Sequence, residues 1–238
     1  MPDHRRRDFL GWLGASTLAA AAAGRLRAQT ARLLPDTSPA SGAARADSGA
    51  APTAPWDMSW VDRVQGDARA VFDSPAVSDG DALWRATQWR KDYVAVYPAT
   101  NPEKISTVLV IRHAAIPLAM DDSYWKQFDV GKELKLKDQD DKDWTTVNPI
   151  RAARLGASGD EADVNLEHFM ATGGIVLACH MAFMGRVVSR YRKAGSSTME
   201  QAEAEARSHV IPGIILQPSG IFAALRAQQA GCSYIVGS

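Results

Sequence analysis

Apolar residues in this chain come in short, β-branched runs, each closed by a polar or glycine break and followed by helical periodicity. The densest run is Gly173-Gly174-Ile175-Val176-Leu177-Ala178-Cys179-His180. Its length and lack of alternation predict a strand buried on both faces, as in the middle of a parallel sheet. Similar runs at 70–73, closed by Ser74-Pro75, and at 107–111, closed by Arg112-His113, predict two more strands, and those at 214–216 and 234–236 complete a set of about five. Between them lie helical stretches. Residues 79–97 carry Leu83, Trp84, Thr87, Tyr93, Val94 and Val96, with Asp79 as N-cap and Pro98 as stop. Residues 166–172, 182–194 and 221–229 follow the same period, and Ser197 or Thr198 caps a helix over 199–210. Asp121-Asp122 open a helical turn. Alternation over 132–137 and 144–147, around a polar turn, predicts a β-hairpin insertion near 132–148. Strands alternating with helices define an α/β fold with a mainly parallel sheet and right-handed crossovers.

Composition changes the picture only at the N-terminus. The 238 residues are 46% hydrophobic and 23% charged, within the globular range. Arg6-Arg7-Asp8-Phe9-Leu10 precedes an uncharged Leu/Ala/Gly run over 11–23, the pattern of a twin-arginine secretory signal, assigned to 1–28. An uncut membrane anchor is the alternative, and the shortness of the run speaks against it. Residues 29–55 are Ala, Ser, Pro and Asp with almost no large apolar side chain, and read as a disordered linker. The folded domain is assigned to 56–238, with Trp56 and Trp60 in a leader that packs onto it. Residues 1–28 hold five Arg and two Asp, so 22 basic and 25 acidic side chains remain beyond them. That mildly acidic balance argues against nucleic acid as a partner. Beyond the signal no stretch reads as a membrane span.

Candidate chemistry gathers where strands end. Cys179 stands at the C-terminal end of its strand, facing the next helix, where a thiolate is stabilised and nucleophilic. A buried structural thiol is the alternative. His180 can partner it only if the strand ends at Ala178, because adjacent strand residues face opposite ways. His113 ends another strand at the same edge, where it is either a base or ion-pair partner for Cys179 or a rim histidine. Ser219-Gly220 begin a helix and suit an anionic ligand on backbone N–H groups. His168 and His209 read as surface or rim residues. No HxH or CxxC spacing calls for a metal, and no phosphate-loop or ribose-binding pattern calls for a cofactor. Cys179 and Cys232 fall at opposite strand ends, so no intrachain disulfide is expected.

Residues 174–179, then 210–220 (Val-Ile-Pro-Gly-Ile-Ile-Leu-Gln-Pro-Ser-Gly), then 225–235 (Leu-Arg-Ala-Gln-Gln-Ala-Gly-Cys-Ser-Tyr-Ile) resemble, in that order, the DsrE/DsrF-like family. The match is tightest over 173–236 and looser over 56–131, and the 132–148 insertion resembles one in an exported branch. The resemblance implies a three-layer α/β/α fold, a homo-oligomer, and sulfur relay through a persulfide at the position of Cys179. The chain departs from the pattern at Cys232 and His180. The expectation is a periplasmic sulfur carrier or sulfurtransferase-like relay, whose partner is a sulfur donor or acceptor protein or a small sulfur compound. Two readings stand beside it: an oligomeric binding or assembly module with an incidental cysteine, and a hydrolase or redox enzyme pairing Cys179 with His113.

Overall fold

The computed structural model describes residues 56–152 and 163–238. The expected signal and linker lie outside the described residues. Five strands, β1 (Ala68–Ser74), β2 (Ile105–Ile111), β3 (Ile175–Cys179), β4 (Ile215–Gln217) and β5 (Ser233–Val236), form one all-parallel sheet in the order β4-β3-β2-β1-β5. β2 is buried at every position and lies in the middle. β3 is also buried throughout but second from the edge. Burial on both faces explains the continuous apolar runs of both strands, which is why the run alone does not tell the middle strand from its neighbour.

The chain builds one helical layer, then crosses over. α1 (Asp81–Val96), α2 (Asp122–Gln127), α3 (Val130–Leu134) and α4 (Leu166–Ala171) come before β3. α5 follows β3 as one continuous helix: an α-turn His180–Ala182, a π-helical stretch Phe183–Val188 and an α-segment Ser189–Ala194. α6 is Met199–Ser208. Phe72, Leu109, Ile111, Val176 and Ala178 present one sheet face to the buried residues of these six helices. The opposite face, with Val71, Val108, Val110, Ile175 and Leu177, is covered by α7 (Gly220–Gln229) and a 3-10 leader (Ser59–Arg63) carrying the fully buried Trp60. The result is a three-layer α/β/α fold. Among the described residues, no helix is long and apolar enough to cross a membrane.

Capping explains most boundaries. Asp121, Asn165, Thr198 and Ser219 accept hydrogen bonds from backbone N–H groups in the first turns of α2, α4, α6 and α7. α1 differs from expectation: Asp79 lies in a turn with φ 50°, and Gly80, with φ 87°, is the N-cap. Glycine tolerates that left-handed backbone without a Cβ clash. The apolar stretch after β2 is a buried 3-10 helix, His113–Ala119. Trp125 Nε1 donates to Pro117 O, and Asn148 Nδ2 donates to Leu118 O and Met120 O, satisfying carbonyls that a regular helix would have paired internally.

The insertion near 132–148 is a smaller hairpin than its alternation suggests. Residues up to Leu134 belong to α3, Lys135 turns the chain with φ 57°, and one antiparallel bridge joins Lys137 to Trp144. A Cβ at Gly131 would come 2.0 Å from Thr145 O, so the two arms close on a glycine that alternation does not register.

Candidate functional site

β3 ends on Cys179, which is also the N-cap of α5. Its Sγ accepts the Ala182 N–H at 3.4 Å, and the residue is 7% exposed. The thiol thus receives one of the N–H groups that a helix start leaves unpaired. In register beside it on β4 stands Gln217, whose side chain shares the same sheet face because parallel partners alternate together. Gln217 Nε2 donates to Asp57 O at 2.8 Å and to Leu216 O at 3.2 Å, tying the leader to the strand next to Cys179. Gln217 Oε1 is buried and finds no partner among the described residues.

His180 begins α5, so the strand has already turned before it, one residue later than the partnership with Cys179 requires. Its ring turns away to other neighbours. Nε2 lies 3.1 Å from Glu203 Oε1, and the Trp56 indole meets the imidazole edge-on with centroids 5.2 Å apart. Arg207 Nε and Nη2 also donate to Glu203 Oε1. The His180 imidazole, and after it Arg207, hold the Glu203 carboxyl below the usual carboxylate range. These groups line an open groove of about 670 Å³ whose opposite wall is the segment leading into β4, with Val210, Pro212 and Ile214, and Leu216 of β4 itself.

His113 starts the 3-10 helix after β2 with φ 53° and is exposed. Among the described residues, no hydrogen bond or ring contact joins it to Cys179. Its predecessor Arg112 is more deeply engaged. Arg112 donates from Nε and Nη2 to the two carboxylate oxygens of Asp73 at 2.7 Å each, and Tyr234 Oη donates to Asp73 Oδ2 at 2.5 Å. Asp73 is 1% exposed. Its hydrogen bond raises Arg112 above the usual guanidinium range and raises the Tyr234 phenol as well.

Strand order places this triad. The chain adds β1, β2, β3 and β4 in one direction, then α7 returns it across the other face to β5 beside β1. Asp73 and Tyr234 therefore sit where the order reverses, the position at which open α/β sheets form ligand crevices. Ser219 and Gly220 come to the same place. Ser219 Oγ is spent on the Phe222 N–H, and a Cβ on Gly220 would lie 2.4 Å from Arg112 Cβ. Gly220 thus packs against the arginine. Sequence reasoning missed Asp73, Tyr234 and Gln217. The available signal was a single polar residue late in each of two otherwise apolar runs.

Cys232 lies elsewhere, before β5, and is buried; burial pushes its thiol up to about 11 despite nearby Arg69. Both cysteines are free. Cys179 ends β3 and Cys232 precedes the start of β5, three strand spacings away, about 14 Å even before strand length is added. Among the described residues, no group of three or more His, Cys, Asp or Glu could hold a metal ion.

A scan of the chain against protein-family models finds no match, and a search of curated proteins finds none either. What the geometry defines is an all-parallel, three-layer α/β domain with a helix-capping thiol at the carboxyl edge of its sheet.

Proposed function

We propose that the chain is an exported, periplasmic carrier of the DsrE/DsrF-like kind that holds sulfur as a persulfide on Cys179. The observation that carries the reading is the position of Sγ as N-cap of α5, accepting the Ala182 N–H. A thiolate there meets the positive end of a 15-residue helix, and so would the terminal sulfur of a persulfide anion. The step needs no external oxidant. The Cys179 thiolate attacks the outer sulfur of thiosulfate, the S–S bond of thiosulfate breaks, and sulfite leaves with the bonding pair. Transfer to a second thiolate reverses the exchange and regenerates Cys179. His180 and Glu203 line the groove beside the strand end, where a donor or acceptor protein would approach. Exposed Ile221, Phe222 and Leu225 on α7 offer a surface for a second copy of the chain.

A second reading, a binding or assembly module with an incidental cysteine, is favoured by the 7% exposure of Cys179 and its lack of an imidazole contact among the described residues. One experiment separates the two. Incubated with thiosulfate or polysulfide, the protein gains about 32 Da on Cys179 alone, the mass of one added sulfur on a nucleophilic thiolate. Cys179→Ser abolishes the gain and Cys232→Ser leaves it intact. A Cys179 that stays unmodified, and resists alkylation until the chain is unfolded, assigns the protein to the second reading.

A further inference from the structure

A second cavity, of about 450 Å³, lies far from Cys179, at the end of the sheet where the strands begin. Ile105, the first residue of β2, forms its floor, and Val94, Pro102 and Phe169 are apolar walls. Its volume lies in the range that small-molecule sites occupy. Two polar groups at this apolar frame, one buried beneath its surface and one on it, lack the partners their burial calls for. Thr87 is 7% exposed, and its hydroxyl finds no hydrogen-bond partner among the described residues. A helical threonine ordinarily satisfies its hydroxyl on the carbonyl one turn back, so an orphan here is a cost without local compensation.

Arg90 is the second. Nη1 and Nη2 donate to Thr172 Oγ1 and Thr172 O, while Nε makes no hydrogen bond among the described residues. No carboxylate among the described residues pairs with it, and partial burial lowers its affinity for its proton, with no opposing charge to raise it. The other charges at the rim are already matched: Lys91 Nζ lies 3.3 Å from Asp163, and His168 Nε2 lies 3.8 Å from the same carboxylate. Thr87, Arg90 and Val94 fall on one stripe of α1 at spacings of three and four, so guanidinium and apolar wall share one volume while Thr87 Oγ1 stays buried beneath its surface.

We propose that this cavity binds a small amphipathic carboxylate, its tail against Val94, Ile105 and Phe169 and its head on the Arg90 guanidinium. A planar guanidinium matches a carboxylate in geometry as well as charge, and a half-desolvated cation gains most from an anion that arrives with its own apolar cover. A free inorganic anion would supply the charge and leave the cavity unfilled. An alcohol of the same length would fill the cavity and leave the charge unmatched. The site is independent of the sulfur chemistry, lying at the opposite end of the strands from Cys179.

Calorimetric titration of the full chain with octanoate, octanol and acetate tests this. Octanoate binds saturably, and octanol and acetate bind at least about tenfold more weakly, the loss expected when a hydrogen bond to a charged group is removed. Arg90→Gln brings octanoate down to the level of octanol without changing octanol itself, and Cys179→Ser leaves octanoate binding unchanged. Because Arg90→Gln also removes the Thr172 contacts, the unaltered protein is additionally photolabelled with a diazirine-bearing octanoate. Adducts mapping to peptides containing residues 87–94 and 168–172 support the site. Adducts elsewhere, no saturable binding, or equal affinity for octanoate and octanol would overturn it.

Discussion

The two ends of this sheet each hold an arginine, and they treat it in opposite ways. At the carboxyl end Arg112 is clamped by both oxygens of a buried aspartate that also receives a tyrosine hydroxyl, and Gly220 packs on its stem. At the amino end Arg90 has one threonine, Thr172, and an apolar cavity. The cysteines follow the same division: Cys179 at the carboxyl end receives a helix N–H, and Cys232 at the amino end is simply buried. Polar groups that satisfy one another serve stability, whereas those left half-satisfied beside empty volume or a helix start are the ones positioned to meet something else. On that division the carboxyl end is a built network beside a helix-capping thiol, and the amino end leaves Arg90 without a carboxylate among the described residues beside a cavity.

The largest expected effect breaks the network itself. Asp73→Ala leaves the Arg112 guanidinium and the Tyr234 hydroxyl without their shared acceptor. It costs about 3 kcal/mol of unfolding free energy, since removing one partner strands the other charge. Arg90→Gln costs about 1 kcal/mol or less, because no charge pair is lost among the described residues. Urea denaturation of the two variants side by side measures the contrast, and equal losses would erase it.

Next in size is a pH dependence set by Cys232 at the amino end. Burial raises Cys232 from its ordinary 9.0 to about 11, so the folded state holds this proton after the unfolded chain has released it. The contribution is present in full below pH 9 and is lost as pH rises through about 11. It amounts to a decline on the order of 2 kcal/mol. Cys232→Ala removes that part of the alkaline slope in denaturation curves taken between pH 8 and 11. A slope unchanged by Cys232→Ala would mean that its thiol ionises as freely folded as unfolded.

The smallest effect sharpens the geometry of the carboxyl end. Gly220→Ala introduces a Cβ 2.4 Å from Arg112 Cβ, which moves only with the backbone, and 2.6 Å from Arg112 Cδ, which moves with the side chain. The expected cost is about 1–2 kcal/mol, typical of overpacking, and less in an Asp73→Ala background where the arginine is already released. A double-mutant cycle reads this coupling directly. Additive losses would mean that Gly220 and the triad are independent.

Much of the architecture was legible from the chain alone, for reasons visible in particular residues. The runs at 107–111 and 175–179 read as strands because burial on both faces excludes polar residues almost completely. Thr198 and Ser219 mark helix starts because their hydroxyls have a local backbone donor to accept from. The 132–148 segment read too strongly as a hairpin, because Lys132 to Lys137 alternate whether or not Lys135 adopts a left-handed turn. Cys179 was legible as a strand-end thiol facing a helix. His113 shares its edge, but its exposed, left-handed position gives it no contact with the thiol among the described residues.

What this sequence determined by itself was the alternation of strands and helices, their caps, and the edge at which the thiol stands. Hydrophobic periodicity and capping are properties of residues a few positions apart. Only the tertiary structure decided that β5 returns beside β1, and with it that Tyr234 reaches Asp73 across 161 positions and Arg112 reaches it across 39. It also set Gln217 beside Cys179 and left Arg90 facing a cavity. Strand order and register come from the packing of two faces at once, and no local run of residues carries that information.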